Sequence, residues 1–320
     1  MKSKVVIYKP VPLEIRKKME KTCDIVYFEQ LNDTNHSQFI NELADTQGLM
    51  GSGLPINEEL LNHAPNLKVV SNISVGYNNM DLAAIKKRNI IATNTPDVLT
   101  ETTADTIFGL ILTTARRMTE LDQLVKSGQW NELIGEELFG LDVHHKKLGI
   151  IGMGRIGSAI AKRAHLGFGM DILYNNRSRN EEAEQAYEAT YCSLEDLLQQ
   201  SDFVCLMTPL SAETEHLIGE KELRLMKKTA IFINGSRGKT VDEEALIRAL
   251  EKKTIWGAGL DVYQKEPVDK ENPLLKMPHV VTFPHIGSAT YETRFAMAEL
   301  AAENMVKGLT GEKPPSLIKY

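Results

Sequence analysis

Short apolar runs alternate along the chain with longer segments of helical period. Strand-length runs fall at residues 5–8, 48–51, 67–71 and 91–93, and again at 148–151, 172–174, 203–207, 230–234, 257–260 and 280–283. Near-continuous apolar strands spaced by helices predict parallel sheets covered on both faces, the doubly wound α/β class. Residues 100–126 read as one long helix, with Ala104, Ile107, Phe108, Ile111, Ala115, Met118, Leu121 and Val125 near one stripe. Leu110, Leu112 and Leu124 widen that stripe. A core helix packed on two sides and a helix that also forms a subunit interface both fit. Residues 127–141 form a looser stretch with Gly128, Trp130, Gly135 and Gly140, in which Leu133, Ile134, Leu138 and Phe139 are interleaved with Glu132, Glu136 and Glu137. This pattern suits a surface arm that covers a neighbouring subunit.

Length and composition narrow the picture. At roughly 100–200 residues per domain, 320 residues suggest about two domains. A hydrophobic share of 42% excludes a disordered chain. Lys and Arg total 37 against 43 Asp and Glu, a formal net charge of −6, so neither nucleic acid nor an anionic membrane is an expected partner. Cys23, Cys192 and Cys205 are too scattered for a disulfide framework or a zinc site, and the histidines lack metal-ligand spacing. No metal is expected. The N-terminus passes straight into a strand-length run rather than a signal-peptide core, and a cytoplasmic location is expected.

Gly152-Met153-Gly154-Arg155-Ile156-Gly157 follows an apparent strand and opens an Ala-rich segment. In that context G-x-G-x-x-G is a dinucleotide fingerprint. Gly152 permits the tight turn, Gly154 lets backbone approach a pyrophosphate, and Gly157 lets helix and strand pack closely. The N–H groups of Arg155 and Ile156 would face the phosphates. An acid about 20 residues further on would select NAD by binding its ribose hydroxyls. Here the next strand runs instead into Asn175, Asn176, Arg177, Ser178 and Arg179. Two guanidinium groups and a hydroxyl suit a 2′-phosphate, so NADPH is the expected cofactor, with NADH possible.

Arg237, Glu266 and His285 each lie just past a predicted strand, at the sheet edge where α/β proteins bind ligands. Together they suit hydride transfer to a ketone. Arg237 can hold a 2-oxo acid's carboxylate bidentately. His285 can protonate the alkoxide that reduction creates, and Glu266 can fix its tautomer and favour its charged form.

The glycine motif, Asn234-Gly235-Ser236-Arg237-Gly238, Gly259-Leu260-Asp261-Val262, Glu266-Pro267 and Pro284-His285-Ile286-Gly287-Ser288-Ala289 resemble the D-isomer-specific 2-hydroxyacid dehydrogenase family over essentially the whole chain. Ser74-Val75-Gly76-Tyr77-Asn78, Asn94 through Thr100 and Tyr174 through Arg179 resemble its glyoxylate/hydroxypyruvate reductases, including members that reduce 2-ketogluconate. The resemblance implies a Rossmann cofactor domain, residues 99–287, inserted in a flavodoxin-like substrate domain of residues 1–98 completed by a helix in 288–320. It implies the roles of Arg237, Glu266 and His285 given above. It also implies that Thr103, Thr208, Pro209 and Asp261 contact the cofactor, Asp261 through the nicotinamide carboxamide. Val75 and Gly76 would hold the substrate carboxylate, Ser288 would touch substrate, and the chain would form a homodimer. Two alternatives stay open: a nucleotide-sensing scaffold that keeps the same three residues, and an NAD-dependent enzyme resembling phosphoglycerate dehydrogenase. Formate dehydrogenases carry Gln in place of Glu266 and fit less well.

Overall fold

The computed structural model describes residues 2–319, which divide into two compact units, residues 2–99 with 289–319, and residues 100–288. In the first unit, five parallel strands, β1 (Ser3–Ile7), β2 (Cys23–Tyr27), β3 (Gly48–Gly51), β4 (Val69–Asn72) and β5 (Ile91–Thr93), lie in the order β2-β1-β3-β4-β5. This is the flavodoxin-type doubly wound order. β2 was not expected, because Asp24 and the half-buried Ile25, Val26 and Tyr27 of an edge strand blur the apolar run. The helix Tyr291–Thr310 packs across β3 and β4, where the Ser71 hydroxyl donates to the Ala301 carbonyl at 2.8 Å. Thr290 caps its start and Gly311, at φ +81°, ends it.

The second unit holds seven parallel strands: β6 (Lys147–Ile151), β7 (Asp171–Asn175), β8 (Thr190–Tyr191), β9 (Phe203–Leu206), β10 (Ile231–Asn234), β11 (Gly257–Leu260) and β12 (Val280–Thr282). Their order is β12-β11-β10-β9-β6-β7-β8. The chain winds outward from β6 to β8, then returns to β9 and winds the other way. The crevice for a ligand therefore lies at the C-terminal ends of β6 and β9. Side chains alternate between two apolar layers: Ile150, Cys205 and Ile233 enter one, while Ile151, Leu206 and Phe232 enter the other. β8 is a two-residue exposed edge, too short to show a pattern.

The helix expected over 100–126 is two helices, Thr100–Ala115 and Met118–Lys126. Arg117 breaks it in the left-handed region at φ +53°. The returning chain takes over the first helix end, because the Leu141 N–H donates to the Ala115 carbonyl at 2.8 Å. The first helix buries Ala104, Ile107, Phe108, Leu110 and Ile111 within its own unit. The exposed apolar residues lie further on, at Met118, Val125, Trp130, Leu133, Ile134 and Phe139. No helix of the described residues is long and apolar enough to cross a membrane.

Candidate active site

At the end of β6, Gly152 adopts φ +105°, and a Cβ there would come within 2.9 Å of the Thr208 nitrogen after β9. The two strand ends at the switch point therefore meet backbone to backbone. Gly157 sits against the Gly152 carbonyl, whereas a Cβ on Gly154 would meet nothing within 4 Å. Gly154 precedes the helix Arg155–Lys162, leaving an open cradle at a helix start. The Thr208 hydroxyl is buried without a hydrogen-bond partner beside this cradle, as a cofactor-contacting group would be. Pro209 follows on the surface, where its carbonyl accepts the Thr214 hydroxyl at 2.6 Å. These features fit a dinucleotide.

The loop after β7 is tied to the cradle. Asn176 accepts the Met153 N–H at 2.8 Å through its side-chain oxygen. The Asn180 side-chain amide donates to the Met153 carbonyl at 3.0 Å. Arg179 forks onto Glu184, with Nε at 3.0 Å and Nη2 at 2.5 Å from its two oxygens. The Tyr174 hydroxyl donates to the same carboxylate at 2.5 Å. Arg179 and then Tyr174 hold the Glu184 carboxyl below its ordinary range. Arg177 and Ser178 are exposed beside this brace.

Three further strand ends bear the other expected residues. After β10, the Asn234 side-chain oxygen accepts the Ser236 N–H at 3.0 Å and the Ser236 hydroxyl at 2.9 Å. The Thr240 hydroxyl then donates to the Arg237 carbonyl at 2.6 Å. Arg237 is thereby presented on a fixed turn, with Nη1 on the Ser236 carbonyl at 2.8 Å. Burial pulls its guanidinium pKa down, and Glu266 opposes that. After β11, Glu266 Oε1 accepts the Tyr263 N–H at 3.1 Å, and Oε2 meets His285 Nδ1 at 2.7 Å. Burial pushes the Glu266 carboxyl up, but the hydrogen bonds from His285 and Tyr263 and the charge of Arg237 bring it below its usual value. An ionised Glu266 accepts from Nδ1–H, which leaves Nε2 of His285 for proton transfer. A Cβ on Gly238 would overlap the Tyr263 carbonyl, so the Arg237 and Glu266 loops touch through backbone.

Thr103 is buried on the first long helix, with its methyl against Gly287. Ser288 is half-buried directly after Gly287. Val75 and Gly76 belong to the other unit, where Asn94 and Asn72 donate to their carbonyls at 2.8 and 2.7 Å. The expected residues thus form a cradle, a braced β7 loop and an Arg–Glu–His group in one unit, with Val75 and Gly76 in the second. Asn234, Ser236, Thr240, Tyr263 and Glu184 support them and were not singled out from the sequence. An Asn two residues before a Ser, the pattern of a side-chain-capped turn, is the one signal that could have found Asn234.

A guanidinium and a carboxylate-paired imidazole on the strand ends of a dinucleotide fold are the groups an oxidoreductase of 2-oxo acids would use. Residues 108–287 match the family described as D-isomer specific 2-hydroxyacid dehydrogenase, NAD binding domain, and the chain belongs to that family. A glyoxylate/hydroxypyruvate reductase B from Serratia proteamaculans is 50% identical over 311 residues, 97% of this chain and 96% of that protein. One from Erwinia tasmaniensis is 49% identical over 98% of this chain and 97% of its own length. The crystal structure of an NADPH-dependent glyoxylate/hydroxypyruvate reductase from Sinorhizobium meliloti, in complex with NADP and malonate, is similar at 31% identity. It has a TM-score of 0.88 and covers 99% of this chain and 97% of that one.

Proposed function

We propose that the chain is an NADPH-preferring reductase of small 2-oxo acids, with glyoxylate and hydroxypyruvate as substrates and 2-ketogluconate as a bulkier candidate. The observation that carries this reading is the Glu266–His285 contact at 2.7 Å with the half-buried Arg237 charge beside it. Bound nicotinamide dinucleotide supplies the hydride. Arg237 holds the substrate carboxylate and orients the ketone. His285, charged before reduction, gives its Nε2 proton to the oxygen that becomes the hydroxyl. Glu266 keeps its oxygens on Nδ1 and the Tyr263 N–H, so the ring neither rotates nor changes tautomer.

The NADPH preference rests on the β7 end, where Asn176, Arg177 and Ser178 stand in place of an acid. Arg177 is exposed, and its charge, after the hydrogen bond from Ser211, helps hold the Glu213 carboxyl below its ordinary range. The Arg179–Glu184 pair is largely exposed on the arginine side, so it is a weak tie that a phosphate dianion can replace. The Sinorhizobium protein, an NADPH-dependent reductase in complex with NADP, supports this reading. Fluorescence titration tests it. Arg177→Ala should weaken NADPH binding roughly tenfold and change NADH binding less than twofold. Wild-type protein that binds NADH as tightly as NADPH would overturn the preference.

The exposed apolar arm supports a homodimer. The cysteines are free, and burial pushes the Cys205 thiol up to about 12. Inert thiols suit the reducing cytoplasm, where we place the chain.

A further inference from the structure

His285 is held from two sides. Its ring meets Glu266, and its backbone, at φ +54°, lies in the left-handed region, uncommon for residues other than glycine although histidine enters it more readily than most. The peptides that follow are fastened by Asp261, which directly follows β11 and is 3% exposed. Its Oδ1 accepts the Ile286 N–H at 2.7 Å, and its Oδ2 accepts the Gly287 N–H at 2.9 Å. Both oxygens of a buried carboxylate thus act on the two peptides that follow His285. The Thr106 hydroxyl reaches the Gly287 carbonyl from the other side at 3.5 Å. A Cβ on Gly287 would come within 3.2 Å of both Asp261 Oδ2 and the Thr103 methyl, so the clamp has no slack.

We propose that Asp261 is a positioning residue for His285, fastening the Ile286 and Gly287 peptides and so fixing the turn that presents the imidazole. The value of that turn rests on the reductase reading above. The clamp itself does not, and it is separate from any contact Asp261 makes with the nicotinamide carboxamide. Its charged neighbours are His285, which favours the ionised carboxylate, and Glu266, which disfavours it. Burial pushes the Asp261 carboxyl up, and the Ile286 and Gly287 N–H groups pull it back. The bond set needs the anion, because a protonated oxygen facing an N–H is a poorer acceptor.

Hydrogen exchange on the cofactor-free, full-length chain tests the clamp directly. Asp261→Asn keeps the shape but turns a donor toward one of the two N–H groups. It should lose at least tenfold in protection at the Ile286 and Gly287 amides. It should also lose at least tenfold in kcat at saturating NADPH, with the NADPH dissociation constant moving less than threefold. Gly287→Ala leaves the carboxylate in place and presses on it, so the Ile286 amide should loosen and kcat should fall several-fold. This second variant carries the test if Asp261→Asn fails to fold. Unchanged protection at Ile286 in both variants would overturn the proposal. So would a defect confined to NADPH binding with kcat preserved. Wild-type protein that reduces no 2-oxo acid would instead defeat the functional reading, while the exchange rates would still report on the clamp.

Discussion

Glu266 is the residue whose environment is set most finely. Its folded pKa lies below the ordinary value because His285, Tyr263 and Arg237 together outweigh burial. A carboxyl with a depressed folded pKa stabilises the fold above its unfolded value, near 4.3, and loses that contribution as pH falls through the folded one. Its side chain is 36% exposed, so the stabilisation is modest. Glu266→Gln should lower the melting temperature by roughly 2 °C at pH 7, with the gap narrowing toward pH 4. Thermal melts of both proteins across that range check this, and a gap that widens on acidification would contradict it. Arg237, Glu266 and His285 were legible because each combines a reactive side chain with a place just past a strand. Thr240 and Tyr263 were not, because they act by hydrogen-bonding backbone, which leaves no mark in one sequence, and Asn234 had only its spacing to Ser236 to show for it. Arg179 illustrates the same limit: its type suits a phosphate, but its bond to Glu184 appears only once the β7 loop and the following helix are built.

Among the elements, the strands that line the sheet interiors were readable from continuous apolar runs, while β2 and β8 were not. Both are edge strands exposed enough to lose the signal, whereas the edge strands β5 and β12 stay mostly buried and kept it. The helix break at Arg117 was equally hidden, since apolar spacing continues across it. Only tertiary bonds reveal it: Leu141 on the Ala115 carbonyl, and the Arg117 guanidinium on the Glu137 carbonyl at 2.5 Å and on Glu120. The break sets off a helix with no buried residue and an arm whose Leu133 is 92% exposed. The exposed apolar groups concentrate in this stretch of the chain, and the proposed homodimer would bury them. If it is the dimer interface, sedimentation should give twice the 35.8 kDa chain mass, and Leu133→Asp should weaken association at least tenfold. A monomeric wild type at micromolar concentration would contradict the assignment.

One chain carries two parallel sheets, the five-stranded unit being built from two separate segments, with the dinucleotide cradle and the Arg–Glu–His group on the strand ends of the seven-stranded unit. With a formal net charge of −6, the overall field does not favour anionic ligands. On the proposed function, recognition of a carboxylate and a phosphate falls to placed groups, chiefly Arg237 and Arg177. The most direct test is the initial rate with glyoxylate and with hydroxypyruvate, using NADPH and NADH side by side, for wild type and Arg237→Ala. Losing a bidentate charge-assisted pair costs about 2–4 kcal/mol. The variant should therefore lose roughly 30- to 1,000-fold in kcat/KM, while wild type turns over both acids with NADPH preferred. Turnover that survives intact in Arg237→Ala, or a wild type that binds NADPH yet reduces neither acid, would contradict the account.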